Sequence, residues 1–321
     1  MSHFLIDFGT FYTLYFIISL KFQLLGQQPM NNPSPLRYPG GKFKIAPVVK
    51  KIIEKAVVDK CIDIEPFAGG AGIAVDLLLS DFVDEIVIND YDRAISSFWR
   101  AILYETDDFL RLIENTPVTI NEWHKQRLIY EKSRSYSLEY GFATFFLNRT
   151  NHSGILSAGP IGGLAQDQDE WKLDARYNKD ELVSRILAIS QQKDRIHCYN
   201  QDIISFICRY LPKYQKRGFV YFDPPYFCKG KRLYKSFFTQ QYHQTVAEHI
   251  FSNVKCDWIV SYDDVPDVKD IYDNYTSIRF SLSYSLANKG QGREVMFFKS
   301  PSLCPSMSEL SAAGLKFAVW E

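Results

Sequence analysis

Apolar and polar positions run along this chain in two rhythms. Short apolar runs recur at residues 61–65, 85–89, 195–199, 218–222, 257–261, 275–280 and 294–298. Each has the length of a buried strand, and most are rich in Val, Ile, Phe or Tyr. Residues 73–79, 94–103 and 203–211 carry apolar side chains at helical spacing instead. Strands alternating with helices predict an α/β fold, with a mainly parallel sheet covered on both faces. Between residues 106 and 194 the alternation stops. Helical patterns at 119–130, 137–146 and 181–189 there flank a polar, glycine-rich middle at 148–168. The expected organisation is one α/β domain made of residues 35–105 and 195–300, interrupted by an inserted, mainly helical domain at 106–194. Residues 1–34 are then an N-terminal extension and 301–321 a C-terminal tail.

Composition narrows this only in places. Hydrophobic residues make up 46% of 321, enough for one large core and a smaller one. Lys plus Arg and Asp plus Glu are both 37, so overall charge selects no partner. Locally, residues 209–235 are basic, and Asp223 is their one acid. Such a run is commonly a solvated face. Here it brackets a strand end with candidate chemistry, so Lys229, Lys231 and Arg232 become candidate phosphate contacts. Cysteines are scattered without CxxC or Cys/His ligand spacing, and no HExxH occurs. A reducing, cytoplasmic setting and no metal are expected. Residues 4–25 are apolar and aromatic. Their clean stretch, 11–20, is shorter than the ~20 residues of a spanning helix and lacks a basic lead-in. Met30 is the favoured start, and membrane contact is not expected.

The chemistry concentrates where apolar runs end. The run 218–222 stops at Asp223-Pro224-Pro225-Tyr226. Prolines donate no backbone hydrogen bond and have fixed φ, so the Pro224 carbonyl can be held toward a cleft beside the Asp223 carboxylate. Two acceptors and the flat ring of Tyr226 match a planar base bearing an exocyclic amine, as adenine does at N6. A bare strand followed by a proline turn is the bland reading; the acid before it and the aromatic after it favour function.

Three further segments suit a cofactor. Arg37-Tyr38-Pro39-Gly40-Gly41-Lys42 has paired glycines that let backbone approach a ligand, a ring in Tyr38 and a cation in Lys42. Glu65-Pro66-Phe67-Ala68-Gly69-Gly70-Ala71-Gly72 sits at a strand–turn–helix junction. It is not GxGxxG, so a dinucleotide pyrophosphate is not implied. Glu65 could reach polar atoms of a cofactor. Asp90 ends the next strand at the spacing of a ribose-binding acid, a role placed ahead of helix capping. Asp202 could take an adenine amine or cap the following helix, and both readings stay open.

Taken in order, RYPGGK, EPFAGGAG, Asp90, Asp202 and DPPY resemble the Dam-type, D12-class DNA adenine-N6 methyltransferases over roughly residues 35–299. Phe145-Phe146-Leu147-Asn148-Arg149-Thr150-Asn151 and Gly292-Arg293-Glu294-Val295-Met296-Phe297-Phe298 resemble two more of that family's segments. The resemblance implies a Rossmann-like S-adenosylmethionine-dependent methyltransferase sheet with an inserted target-recognition domain. In it Tyr38, Gly40 and Lys42, then Phe67, Gly69 and Gly70, contact S-adenosyl-L-methionine. Asp90 holds its ribose, Asp202 its adenine, and Asp223 lies between cofactor and a flipped-out base. Asn148, Arg149 and Asn151 belong to the DNA-contacting loop. The implied enzyme is a site-specific adenine methyltransferase, monomeric, acting on double-stranded DNA without a stable protein partner. After Asn151 the chain departs from the basic, aromatic segment of GATC readers.

Related chemistries differ at one position. Cytosine-N4 enzymes often carry Ser in place of Asp223 and glutamine methyltransferases Asn, so Asp favours adenine. RNA adenine remains an alternative, since the same tetrapeptide serves on RNA. A catalytically silent DNA-binding relative is a further alternative, opposed by the intact acidic and glycine positions.

Overall fold

The computed structural model describes residues 32–37, 42–56, 61–167, 170–227, 238–283 and 291–312. The apolar N-terminal segment, Met30, Tyr38, Gly40, Lys229, Lys231 and Arg232 lie outside the described residues. Contacts divide the chain after Pro33, and the strands and helices belong to the unit Ser34–Glu321.

Seven strands make one sheet: β1 (Ile62–Glu65), β2 (Glu85–Asn89), β3 (Ile196–Tyr199), β4 (Gly218–Phe222), β5 (Asp257–Asp263), β6 (Ser277–Ser283) and β7 (Gln291–Phe298). Their order is β3-β2-β1-β4-β5-β7-β6. The first five run parallel, and β7 is antiparallel to both β5 and β6. β4 lies between β1 and β5 and is buried at every residue, which is why Gly-Phe-Val-Tyr-Phe has no polar alternation. Strand order reverses between β1 and β4. At such a switch point the loops leaving adjacent strands diverge and open a crevice at the carboxyl ends.

The helices are α1 (Ala46–Ala56), α2 (Gly72–Leu79), α3 (Arg93–Tyr104), α4 (Thr106–Asn115), α5 (Ile120–Lys132), α6 (Leu138–Thr150), α7 (Lys179–Ser190), α8 (Gln240–Asn253), α9 (Pro266–Ile271) and α10 (Met307–Ala312). Val220, Phe222, Trp258, Val260 and Phe297 of the sheet share one core with Phe206 and Leu211, with Val246 and Ile250 of α8, and with Val268 of α9. The expected helix at 203–211 is broken. One α-turn (Ile203–Ser205) passes into a π-turn (Phe206–Tyr210) and a 3₁₀ turn (Leu211–Tyr214), where Pro212 lacks the N–H an α-helix needs.

Within 106–194, α6 is buried from Tyr140 to Thr150, an apolar helix with no solvent face there. Its Phe142 and Phe145 pack with Phe98 of α3 and Phe109 of α4. α3 and α6 approach so closely that a Cβ on Gly141 would sit 2.7 Å from the Ser97 carbonyl. Among the described residues, no helix is long and apolar enough to cross a membrane.

Candidate active site

Each parallel strand delivers an acid to the carboxyl edge: Glu65, Asp90, Asp202, Asp223 and Asp263. The densest cluster surrounds Asp223, just after β4. Lys42 donates to Asp223 Oδ1 at 2.6 Å and to Ser261 Oγ of β5 at 2.8 Å, and pairs with Glu294 Oε2 of β7 at 2.9 Å. Two of the three ammonium donors are used in hydrogen bonds, and the contact with Glu294 is an ion pair. Sequence reasoning expected Lys42 to contact the cofactor; in the structure its ammonium joins β4, β5 and β7. Ser261 donates to Asp223 Oδ1 at 3.2 Å and shares a 2.8 Å bond with Tyr221. The side chain of Lys42 is 2% exposed while that of Asp223 is 32% exposed, so the carboxylate can be reached and its anchor cannot.

Electrostatics follow from this packing. Burial raises the Asp223 pKa, Lys42 opposes that, and Glu294 adds to it. Burial alone would lower Lys42, but Asp223 and Glu294 outweigh it and the ammonium is held above its ordinary value. One cation between two carboxylates leaves a net negative cluster.

Tyr226 is buried, its hydroxyl donating to Glu294 Oε1 at 2.9 Å and its ring centroid 5.4 Å from Lys42 Nζ. The next residue is pinned too: the Phe227 N–H donates to Asp263 Oδ1 at 2.9 Å. The Asp-Pro-Pro-Tyr corner is therefore fastened at both ends, Pro224 and Pro225 lying between.

The loop after β1 is built to a different plan. α2 is preceded by Ala71 at its N-cap, a residue in the left-handed region (φ 45°) whose side chain caps nothing. Glu65 supplies the missing cap from β1, accepting from the Ala74 N–H at 2.8 Å in the helix's first turn, where orphan donors favour an anion. Its burial and the nearby Asp63 hold its pKa well above the ordinary carboxylate range. Gly69 is also left-handed (φ 48°) and donates to Asp90 Oδ2 at 2.8 Å. Asp90 Oδ1 accepts from Asp92 N at 2.8 Å, while Asp92 is the residue that caps α3. Burial and then the Asp92 charge push Asp90 up to about 7. Asp202 caps the turn after β3 through Oδ1 and accepts from Tyr242 at 2.6 Å through Oδ2. Phe67 and Phe238 meet edge to face at 5.9 Å.

The structure brings Glu65, Phe67, Gly69, Gly70, Asp90, Asp202 and Asp223 to one edge. It does not bring Asn148, Arg149 and Asn151 to the surface. All three are buried. Asn148 accepts from the Arg37 N–H and donates to the Arg37 carbonyl, both at 2.7 Å, a two-sided clamp on that backbone. Arg149 donates to the Arg176 carbonyl at 2.7 Å. Asn151 accepts from Trp123 and donates to the carbonyls of Ile155 and Leu156. Of the basic run, Arg217 immediately precedes β4 and pairs with Asp84 and Glu85, at the strand end away from Asp223.

Ser261, Asp263, Glu294 and Asn89 are site residues that sequence reasoning did not assign. A polar residue inside each apolar run, in Ile-Val-Ser-Tyr-Asp and Glu-Val-Met-Phe-Phe, was the available signal. Among the described residues, no group of three or more His, Cys, Asp or Glu is arranged to hold a metal ion.

A doubly wound sheet with a glycine loop and an acceptor-lined corner flanking its switch point is that of a Rossmann-like methyltransferase. Comparison with known proteins narrows the class. The sequence profile of the D12 class N6 adenine-specific DNA methyltransferase family matches residues 38–286, and the chain belongs to that family. A Type II methyltransferase of Methanocaldococcus jannaschii, M.MjaIII, is 25% identical over 209 residues, covering 60% of this chain and 68% of that protein. Among solved structures, the rRNA methyltransferase AviRa of Streptomyces viridochromogenes aligns with a TM-score of 0.39 and 12% identity, over 89% of this chain and 97% of that one. A proposed RNA methyltransferase of Pyrococcus horikoshii aligns at 0.38 and 10%, over 87% and 96%. Likeness of that degree bears on neither substrate nor mechanism.

Proposed function

We propose that this chain methylates N6 of an adenine flipped out of duplex DNA at a short specific sequence, using S-adenosyl-L-methionine. The observation that carries this reading is the state of Asp223. Lys42 and Ser261 both bind Oδ1, and Oδ2 accepts no hydrogen bond among the described residues. A half-occupied, reachable carboxylate beside a proline carbonyl suits an amine with two N–H donors.

The donor set at the other strand ends fits the cofactor. Asp90 and Asp202 keep acceptor capacity beyond the bonds they already make, suiting a ribose diol and an adenine amine. Left-handed Gly69 and the partly exposed ring of Phe67 would lie along it. When bound, the cofactor supplies an electrophilic methyl group on a sulfonium.

The chain's own residues do the rest. A base inside a duplex is out of reach until it is extruded. Tyr226 would stack on the extruded ring, a contact worth ~1–3 kcal/mol. Asp223 Oδ2 and the Pro224 carbonyl accept the two N6 hydrogens. That draws the nitrogen lone pair out of ring conjugation and holds the amine in place. The proton released on transfer is received at Asp223. Positioning and a fixed electrostatic frame account for the acceleration.

Sequence recognition is assigned to the insert at 106–194. Because Asn148, Arg149 and Asn151 are committed to backbone partners, base contacts fall to the loop that comes after them. The three residues shape that loop, and Asn148 also holds Arg37, the first residue of the RYPGGK segment.

The test is single-molecule sequencing of DNA from a methylation-free host that expresses the chain. N6-methyladenine in one short context, lost with Asp223→Ala, is the expected result. Unmodified DNA from cells holding folded, cofactor-binding protein would refute the reading.

A further inference from the structure

We infer that Glu294 is a positioning residue of the transfer site: it fixes the Tyr226 ring and divides the charge of Lys42 with Asp223. The inference rests on the methyltransfer reading and deepens it.

Glu294 sits on β7, in register with Asp263 of β5 and Phe280 of β6. It is 2% exposed, and the next four residues, Val295 to Phe298, are buried and apolar. An apolar side chain would be the undemanding choice there, since a buried carboxylate must be compensated. Its two oxygens go to two different parts of the catalytic corner. Oε1 accepts the Tyr226 hydroxyl at 2.9 Å, and Oε2 faces the Lys42 ammonium at 2.9 Å.

Each contact has its own consequence. A phenol anchored at its hydroxyl keeps its ring plane fixed, so a stacking surface is ready before a base arrives. Among the described residues, Lys42 is the one cation of the charged groups that face Asp223, the others being Glu294 and Glu65. The neutral phenols Tyr221 and Tyr262 also face it. Whatever share of the ammonium Glu294 takes is withheld from Asp223. Glu294 thereby keeps Asp223 a stronger acceptor than a lone Lys–Asp pair would be.

Glu294→Gln separates the two roles. The amide oxygen can still accept from Tyr226, but the negative charge is gone. The acid limb of the kcat/KM profile for DNA should move to lower pH by about one unit, as removal of a like charge beside a carboxylate predicts. Plateau kcat should fall several-fold, because a weaker acceptor draws less on the N6 hydrogens. Glu294→Ala should add a second defect. Duplex DNA carrying 2-aminopurine at the target position should lose its enzyme-induced fluorescence gain, and KM for DNA should rise. Tyr226→Phe should reproduce that second defect and leave the acid limb unmoved.

A Glu294→Gln enzyme with an unshifted acid limb, together with unchanged 2-aminopurine fluorescence in Tyr226→Phe, would overturn the inference. Should Glu294→Ala fail to fold, the Gln and Phe variants decide alone. Wild-type protein that methylates DNA while the variants behave normally defeats only this inference. Wild-type protein that methylates no DNA defeats the functional reading and this one with it.

Discussion

Asp63→Asn should make the protein more stable, and by an amount that grows with pH. Asp63 lies in the middle of β1, fully buried, between Ile86 of β2 and Phe219 of β4. Neither of its oxygens has a hydrogen-bond partner among the described residues. Burial pushes its pKa up to about 7, so the folded chain carries this carboxyl protonated at pH values where the unfolded chain has released the proton. The folded state thus binds more protons, and stability falls as pH rises from the unfolded pKa, about 3.9, toward the folded one. Each pH unit in that window costs about 1.4 kcal/mol, which accumulates to about 4 kcal/mol by neutrality. Asparagine has the same shape and no charge to lose. Wild type and Asp63→Asn should therefore unfold alike near pH 4 and diverge progressively up to pH 7, with the variant more stable. Urea unfolding at several pH values measures this directly. Parallel stability profiles for the two proteins would refute the argument, and would mean that Asp63 is ionised and compensated in the fold.

Lys42→Met should act on Asp223 in the sense opposite to Glu294→Gln: the acid limb of kcat/KM moves to higher pH. Stability should drop by ~3–5 kcal/mol, the usual result of removing one partner from a buried ion pair, as denaturant midpoints would report. Gly154→Ala places a Cβ 2.5 Å from the Arg37 carbonyl at a left-handed backbone (φ +74°), so a loss of ~1–2 kcal/mol or more and weaker DNA binding are expected in melting and anisotropy assays. Tyr226→Ala should lower kcat/KM on paired targets more than on mismatched ones; equal losses on both would argue against stacking.

Much of the sheet is legible in the sequence because buried strands announce themselves. Residues 218–222 stand out as five apolar residues between a basic turn and a proline pair, and β4 has those bounds. The acids at 65, 90, 202 and 223 stand at or just past the point where each apolar run stops, so they too are visible without coordinates. α8 is not, because its buried stripe, His243, Val246, Ala247 and Ile250, begins with a histidine. His243 packs against Phe227 and bonds the Tyr262 hydroxyl, and burial pushes its pKa down to about 4, so it behaves as a neutral core residue that sequence shows as polar. Lys42, Ser261 and Glu294 come together only because β7 inserts beside β5 and because the turn before α1 returns to the sheet edge. No local spacing encodes either event. Asn148, Arg149 and Asn151 show the converse. Their residue types suggest DNA contact, but Asn148 and Arg149 lie on a helix buried from Tyr140 to Thr150 and Asn151 is the buried residue that ends it, and each satisfies a backbone group.

Asn89, the last residue of β2, gives the ligand edge a property of its own. Its amide donates to the Pro66 carbonyl at 3.0 Å and the Gln201 carbonyl at 3.1 Å, and accepts from the Gln201 N–H at 2.9 Å. Asn200 ties back to the carbonyls of Asp90 and Tyr91. The three loops that leave β1, β2 and β3 are therefore stitched into a single cooperative unit, and none can open without breaking the others' bonds. A molecule gripped by the first loop alone would slow amide hydrogen exchange in the other two.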